Sequence, residues 1–313
     1  MSAFAGFDGR EVTRHLFRLQ TRIRHADAQG KDTHMKLGKA ISSILVAGLF
    51  TGTPLLASAA DQGAPYLGLG VDYSGGKYGL DTTTTIWEVP LSVGYTSNAW
   101  SVSVTLPYLH VSGPGDVIPG IGVVRNTNPR GRGYGGNGGP VVVTPATYAS
   151  GTTSGMGDAV VQASFHAIEN KDAGFALDLS GRIKFGTADA NKGLGTGEND
   201  YGAAVDLYKT LGASWMAFGG VAYTQLGSST YIQLNDVWSA NAGLSYSFDK
   251  GDSAGLYLFY QERPAATSYQ RREATIFFRH RINDAWSLRG YVLGGFSDGS
   301  PDYGAGLSAQ VSF

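Results

Sequence analysis

Residues 175–185 read FALDLSGRIKF and alternate apolar with polar side chains along almost their whole length. This period-two alternation is typical of a β-strand with one apolar and one polar face. One face would carry Phe175, Leu177, Leu179, Ile183 and Phe185, and the other Ala176, Asp178, Ser180, Arg182 and Lys184. The polar face carries full charges, so the question is which face points into the fold.

Residues 238–248 repeat the pattern with a polar face of small side chains. Their apolar set is Trp238, Ala240, Ala242, Leu244, Tyr246 and Phe248, and their polar set is Ser239, Asn241, Gly243, Ser245 and Ser247. A small soluble barrel would fill its interior with apolar side chains. Here the polar sets face inward and the apolar sets form a continuous outer band, which requires lipid outside and polar groups or water inside.

The chain end, DYGAGLSAQVSF at residues 302–313, fits the same interpretation. Leu307, Val311 and Phe313 alternate with polar residues up to the last position. A soluble edge strand would leave the final ring frayed at the surface. Lipid would cover it, with Phe313 at the periplasmic rim, and a last strand that ends in Phe resembles the signal by which outer-membrane barrels reach their assembly machinery.

About twelve such segments follow one another, and none is a long apolar run. They are residues 66–74, 84–95, 99–111, 156–168, 173–186, 201–210, 214–225, 237–248, 253–263, 272–282, 285–296 and 303–313. Each has close to the length needed to cross a bilayer at a tilt, and an even number returns both termini to one side. The sequence therefore predicts an all-β fold, a transmembrane antiparallel β-barrel of about twelve strands.

The connections alternate in length. The tight ones lie near 97–98, 170–172, 211–212, 250–251 and 283–284, and the long ones are 112–155, 187–200, 226–236, 264–271 and 297–302. Outer-membrane barrels sort their connections this way, with short periplasmic turns and long extracellular loops. A soluble β-sandwich has no reason to do so.

All five tryptophans fall at expected strand ends. Trp100, Trp215 and Trp286 follow short turns, and Trp87 and Trp238 follow long loops. Indole favours the membrane boundary because its ring is apolar and its N–H needs a polar partner. A simple preference of aromatic residues for strands would not select the ends over the middles. We therefore predict that these five residues and Phe313 are interface aromatics.

A secretory signal peptide is predicted over residues 35–60. Met35 is followed by Lys36 and Lys39, then by an apolar run over 40–56 and a small-residue cleavage site at 57–59. Those features, in that order, define an exported chain. The run contains several Gly and Thr residues and a Pro, which disfavours a membrane anchor.

Residues 1–34 are polar, rich in arginine and upstream of that signal. We interpret them as a mis-called N-terminal extension, with Met35 as the true start; a long and unusual signal is the alternative. The predicted organisation is thus extension 1–34, signal peptide 35–60 and outer-membrane barrel 61–313.

Composition narrows the function. The chain has no Cys, and residues 61–313 hold 16 Lys+Arg against 21 Asp+Glu, a formal charge of −5. Thiolate metal sites are thereby excluded, and no basic excess points to nucleic acid. The exported part has only His110, His166 and His280, and none stands in a motif with a nucleophile or a second metal ligand. We expect no catalytic residues, no metal and no cofactor.

The inward charges are the candidate pore-lining residues. They are Asp72, Glu88, Asp158, Asp178, Arg182, Lys184, Asp206, Arg279, Arg281 and Arg289. Strands of the first half supply the acids and strands near the end supply arginines. Two interpretations stay open: opposed charges that orient or filter solutes in a pore, or pairs that cross a narrow lumen and close it.

The loop at 112–155 also leaves two interpretations. It is the longest connection and is dense in Gly and Pro, which do not build a regular element. It either folds into the mouth as a constriction or gate, or it remains outside as a mobile external loop.

Several stretches resemble the outer-membrane transporters of the MetA-pathway of phenol degradation family. They are GMGD at 155–158, KFGTADANKGLGTGENDYG at 184–202, FGGVAYT at 218–224 and the closing RGYVLGGFSDGSPDYGAGLSAQVSF from Arg289. The resemblance implies an outer-membrane β-barrel that passes hydrophobic or aromatic compounds. It brings no catalytic residues. Asp158 and Asp200 fit the pattern of the family and are candidate structural or gating positions.

The sequence therefore predicts an outer-membrane channel for passive passage of small molecules. The expected partners are outer-membrane lipid, the barrel-assembly machinery and small-molecule solutes, with no nucleic acid. The alternative is a closed barrel that acts as an enzyme of the lipase or protease type or as a structural protein.

Overall fold

The computed structural model describes residues 63–132, 150–248 and 251–313. The expected extension at 1–34 and the signal peptide at 35–60 lie outside the described residues, as does the stretch 133–149 of the longest loop.

Fifteen strands are formed in the described residues. They are β1 (Ala64–Gly76), β2 (Thr84–Thr96), β3 (Trp100–Pro114), β4 (Val117–Ile118), β5 (Gly122–Val123), β6 (Ser150–Met156), β7 (Ala159–Asn170), β8 (Phe175–Phe185), β9 (Asp200–Leu211), β10 (Trp215–Gln225), β11 (Val237–Ser247), β12 (Ser253–Gln261), β13 (Arg271–Arg281), β14 (Trp286–Gly295) and β15 (Tyr303–Ser312). Neighbours in sequence pair antiparallel from β7 to β15, β15 pairs with β1, and the β1–β2, β2–β3 and β3–β7 pairings close the ring. The prediction of a transmembrane barrel of about twelve strands is confirmed.

The sheet has thirteen strands but the barrel wall has twelve staves, because β6 and β7 lie end to end along β3 and together cross the barrel once. Strand β3 pairs with β7 as far as Thr105 and Val160, and with β6 from Tyr108 and Met156 onward. Between them the N–H of Gly157 donates to the carbonyl of Pro107 at 2.8 Å. The sequence indicated one strand over 156–168; it instead breaks at Gly157 and Asp158 and extends outward to Ser150.

Burial follows the alternation that the sequence indicates. In β8, Leu179 is exposed on the outer wall, whereas its neighbour Asp178 is buried inside. In β11, Leu244 is exposed and Ser245 buried. The outer face is therefore apolar and the inner face polar along both strands, as a bilayer outside the barrel requires. In the described ranges no helix has the length and apolar character needed to span a membrane.

The tryptophans lie on the outer wall, and four of them pack against a tyrosine of a neighbouring strand. Trp87, Trp100, Trp215, Trp238 and Trp286 are between 45% and 54% exposed. The ring centroids are 4.7 Å apart for Trp87 and Tyr73, 5.3 Å for Trp100 and Tyr95, 5.0 Å for Trp215 and Tyr246, and 5.1 Å for Trp238 and Tyr223. Phe313 is 76% exposed just after β15. The predicted interface positions are thus exposed strand ends.

Candidate functional site: the barrel lumen and its extracellular cap

Residues 115–132, which we call the cap, follow β3 at the end of the barrel that carries the long loops. The short strands β4 and β5 form a hairpin within it. Bonds from the N–H of Val124 to the carbonyl of Asp116 (2.8 Å) and from the N–H of Asn126 to Asp116 Oδ1 (3.1 Å) hold the hairpin together. The cap is therefore a folded unit with its own backbone pairing.

The cap contacts every other loop at this end of the barrel. It packs on Tyr78 of the β1–β2 loop through Val117 and Val123. Ser268 of the β12–β13 loop donates to the carbonyl of Val123 at 2.6 Å. At Gly122 a Cβ atom would lie 3.2 Å from the carbonyl oxygen of Gly299, in the β14–β15 loop.

The remaining two loops are joined by the second half of the cap. The N–H of Thr127 donates to the carbonyl of Tyr231 in the β10–β11 loop at 3.0 Å. Asn128 donates to the carbonyl of Ala190 in the β8–β9 loop at 3.3 Å. A segment that reaches loops from all sides of a ring must cross the middle of the ring. For residues 115–132, the loop therefore folds across the mouth rather than away from it.

An apolar cluster fixes the cap over one side of the mouth. Ile118, Ile121 and Val124 of the cap pack with Ile232 and Ala265. All five are buried, and the half-buried Leu226 and Leu234 pack against the cluster. Burial of this aliphatic surface favours the closed arrangement seen here.

Arg132 fastens the end of the cap, and sequence reasoning missed it. Its side chain is buried, with 3% of the residue exposed. Nε donates to the carbonyl of Gly113 (3.2 Å), Nη1 to that of Gly193 (3.0 Å), and Nη2 to those of Pro114 (2.8 Å) and Val117 (2.5 Å). Burial lowers the pKa of Arg132 to about 10, so the guanidinium is still charged at neutral pH. An arginine in a glycine-rich loop carries no sequence signal for this role.

Below the cap, Lys184 joins two of the predicted residues that also fit the family pattern. Its Nζ lies 3.1 Å from Asp158 Oδ2 and 2.8 Å from Asp200 Oδ2. The other oxygens accept backbone N–H groups, Asp158 Oδ1 from Ala188 and Asp200 Oδ1 from Gly227, both at 2.9 Å. Through Lys184, both aspartates are bound to the end of β8. Asp158, at the strand break, also binds the β8–β9 loop, and Asp200 binds the β10–β11 loop.

Asp72 and Glu88 face each other on β1 and β2 in the upper lumen. Asp72 Oδ1 accepts the hydroxyl of Tyr291 at 2.7 Å. Arg182 and Arg289 lie near enough for their charges to act on these carboxylates. Within residues 63–132, 150–248 and 251–313, however, no direct ion pair joins either arginine to a carboxylate. At this level the two arginines and the two acids are therefore near one another without a direct ion pair.

A second level of charge lies deeper. Asp178 Oδ1 lies 2.8 Å from Nδ1 of His166 and accepts a hydrogen bond when that nitrogen carries a proton, and Asp206 lies beside Asp178 on β9. Strands β8 and β9 stand across the ring from β14 and β15, so these acids face the side that carries Arg289 and its neighbour Arg279.

Arg281 lies at the periplasmic end of β13, where its N–H donates to Asp252 at 3.0 Å. The ten candidate pore-lining residues are all buried or half-buried, and two of them, Lys184 and Asp158, form a separate bridge with Asp200 near the mouth. Their function in a pore remains a prediction.

An aromatic strip on the inner wall was also missed. Phe218, Tyr257 and Phe259 stack with centroids 6.3 Å apart at each step. The guanidinium of Arg271 lies 5.1 Å from the centroid of Phe259, and that of Arg289 lies 5.7 Å from Phe277. Residues 256–260 are aliphatic or aromatic on both faces, so their alternation could not show which rings point inward.

The histidines give no support to hydrolysis. On the outer wall, His110 Nδ1 lies 2.7 Å from the hydroxyl of Ser154. A base that activates serine is held by a third, usually acidic, group, and the part of the chain that the structure describes places no acid on this ring. At the periplasmic rim, His280 pairs with Asp252 at 2.9 Å without a serine partner. No group of three or more metal-ligating side chains lies within these same residues.

Similar solved structures are outer-membrane barrels. The COG4313 outer membrane channel from Pseudomonas putida F1 is 16% identical with a TM-score of 0.62, over 82% of this chain and 97% of that one. The NanC porin is 11% identical (TM-score 0.46, 79% and 98% covered) and the KdgM porin 10% (TM-score 0.44, 78% and 99% covered). At these identities the likeness to the Pseudomonas protein shows the fold alone.

Sequence comparison identifies the family. No curated protein matches the chain. The family model described as MetA-pathway of phenol degradation matches residues 71–313, which includes every strand from β2 onward and the second half of β1. The chain therefore belongs to the MetA-pathway of phenol degradation family, as its motifs indicated.

Proposed function

We propose that the protein is an outer-membrane channel for passive passage of small molecules. One observation carries the proposal: among the described residues, neither Arg182 nor Arg289 makes a direct ion pair with a carboxylate such as Asp72 or Glu88, while the outer face of the barrel is apolar. Buried charges in a closed core are normally paired, because an unpaired charge is costly there. Unbridged charges suit a lumen that admits water and solutes. The Pseudomonas protein of the same fold is itself described as a channel.

We further propose that the solutes are apolar or aromatic. The aliphatic clusters at the mouth and the strip of Phe218, Tyr257, Phe259 and Phe277 give a path on which a ring can pack. Among the described residues, the hydroxyl of Tyr257 and Nη1 of Arg271 have no hydrogen-bond partner. Both atoms are buried in this structure, so we infer that each would bind a polar atom of a solute only once the lumen opens around it. The family is described by a pathway of phenol degradation, which agrees with this chemistry.

The route to the membrane completes the proposal. We infer that residues 35–60 direct export and are removed, and that β15 is the strand recognised by the assembly machinery. Outer-membrane lipid then covers the apolar wall. A mature N-terminus other than residue 61 or its neighbours would contradict the first inference.

A closed barrel with a structural role is the second candidate, and the cap favours it. Residues 115–132 cross the mouth, and many inward side chains are buried. The two candidates differ in whether the interior ever conducts.

Conductance in a planar bilayer separates them. We expect discrete steps from the folded protein, and a larger block by phenol than by cyclohexanol, its saturated counterpart. Phe259→Leu should weaken the block by phenol, whereas Phe248→Leu, on the outer wall, should not. Silence from inserted protein, including protein with its cap released, would contradict the channel.

A further inference from the structure

We propose that the cap is a gate and that Arg132 is the latch that holds it closed. The inference rests on the proposed channel function and adds the control of that channel. In the structure the cap is closed; in the open state, residues 115–132 would leave the mouth as one unit.

The latch follows from the partners of Arg132. Its guanidinium is buried and contacts no carboxylate among the described residues; it donates to the backbone carbonyls of Gly113, Pro114, Val117 and Gly193. These belong to the end of β3, the cap hairpin and the β8–β9 loop. One side chain therefore fastens three segments, and its loss would leave four carbonyls without their donor at once.

The cap can move as a unit because it is folded within itself. Besides the bonds of Asp116, the N–H of Ile121 donates to the carbonyl of Ile118 at 3.1 Å and that of Asn128 to Asn126 Oδ1 at 3.0 Å. These bonds would survive opening, since none involves another loop.

The contacts that opening must break are few apart from the latch. They include the bond from Ser268, two bonds from Asn128 Nδ2 to Ala190 and Asn191, the bonds from Thr127 to Tyr231, and the small apolar clusters that the cap forms with other loops. At the junction, Gly115 lies against the carbonyl of Arg132, so close that a Cβ would overlap its oxygen. The closed position thus depends on Arg132 and on the absence of a side chain at residue 115.

The first test removes the latch. Arg132→Ala should raise the ratio of open to closed time by at least about tenfold, the effect of losing one to two net hydrogen bonds among the four. Arg130→Ala is the matched control, because Arg130 lies in the same cap with its side chain exposed. Gly115→Ala is a second variant that disturbs the latch while keeping the arginine.

A labelling experiment measures the opening of the cap independently of electrical recording. The chain has no cysteine, so Val124→Cys is a unique thiol in the buried cluster. A membrane-impermeant maleimide should label it at least about tenfold faster with Arg132→Ala than with Arg130→Ala, for the same reason. Equal heat stability of the two barrels would show that the wall is intact.

Rescue distinguishes a latch from a residue that merely stabilises the fold. Thr127 and Tyr231 are joined by a backbone hydrogen bond, which brings the two segments within disulfide reach. With Thr127→Cys and Tyr231→Cys added to Arg132→Ala, oxidation should restore the closed state and reduction should reopen it.

The outcomes separate the gate from the channel. Conductance that neither latch variant nor the disulfide alters, with slow labelling in every variant, would overturn the gate and leave the channel standing. Faster labelling without conductance in any variant would support a movable cap and overturn the channel.

Discussion

The two ends of the barrel are built on different principles. At the periplasmic end, short turns join neighbouring strands through local bonds, such as the N–H of Gly174 to the carbonyl of Lys171 at 3.2 Å. At the extracellular end, the loops form a layer with apolar clusters, a buried arginine and a lysine shared by two aspartates. The wall between them is one continuous sheet. The difference teaches that closure of the mouth is a matter of contacts between loops, whereas the wall depends on strand pairing and lipid.

The largest expected difference between the two ends is in the stability lost when one lysine is replaced at each end. Lys184→Met should lower the free energy of unfolding by about 3 kcal/mol, because it leaves two buried carboxylates without their cation. Lys209→Met should change it by less than about 0.5 kcal/mol, since Lys209 is exposed and, among the described residues, bonds a single carbonyl, that of Ala173. Urea unfolding in lipid vesicles measures both. Equal losses would mean that the extracellular layer adds no more stability than a periplasmic turn does.

Glycines sharpen the same contrast. Gly299→Ala should cost about 1–3 kcal/mol, because a Cβ there would lie 2.4 Å from the carbonyl oxygen of Gln270 and 2.5 Å from that of Tyr269. Gly212, in a periplasmic turn, has a φ of +75° and open space around it. Gly212→Asn should therefore be tolerated within about 0.5 kcal/mol, since Asn adopts left-handed conformations. Heat-induced unfolding, followed on gels, shows which of the two substitutions lowers stability more. A larger loss for Gly212→Asn than for Gly299→Ala would contradict the prediction.

The aromatic belts should not distinguish the two ends. Trp238→Leu at the extracellular boundary and Trp215→Leu at the periplasmic boundary each remove an exposed indole packed on a tyrosine. Each should cost about 1 kcal/mol, from the lost aromatic pair and interfacial preference. Unfolding of the two variants in the same vesicles is the measurement. A loss confined to one of them would show that only that belt is at a membrane boundary.

The wall could be predicted from the sequence because its signals are local. The alternation in stretches such as 175–185 predicted which side chains face the lipid and which face the interior. The lengths of the connections predicted which end of the barrel is periplasmic and which is extracellular. The break at Gly157 and Asp158 was not predicted, since it depends on Pro107 in another strand accepting a bond from Gly157. The pairing of tryptophans with tyrosines depends in the same way on register between strands.

The cap and its latch could not be predicted, because no local pattern encodes them. Arg132 stands in a glycine-rich stretch, and its partners at Gly113 and Gly193 are far apart in sequence. The family resemblance did direct attention to Asp158 and Asp200, but only the structure shows that both bind Lys184. The aromatic strip was hidden because β12 is apolar on both faces.

The most direct test is side-specific labelling of a cysteine inside the lumen. Ser180→Cys places a thiol on the inner face of β8, and Leu179→Cys, on the lipid face, is the control. We predict that a charged, membrane-impermeant thiol reagent modifies Ser180→Cys from the periplasmic side, and from the extracellular side only when Arg132→Ala releases the cap. Leu179→Cys should not react. A cysteine at 180 that stays unmodified from both sides, with and without the latch, would contradict a path through this barrel.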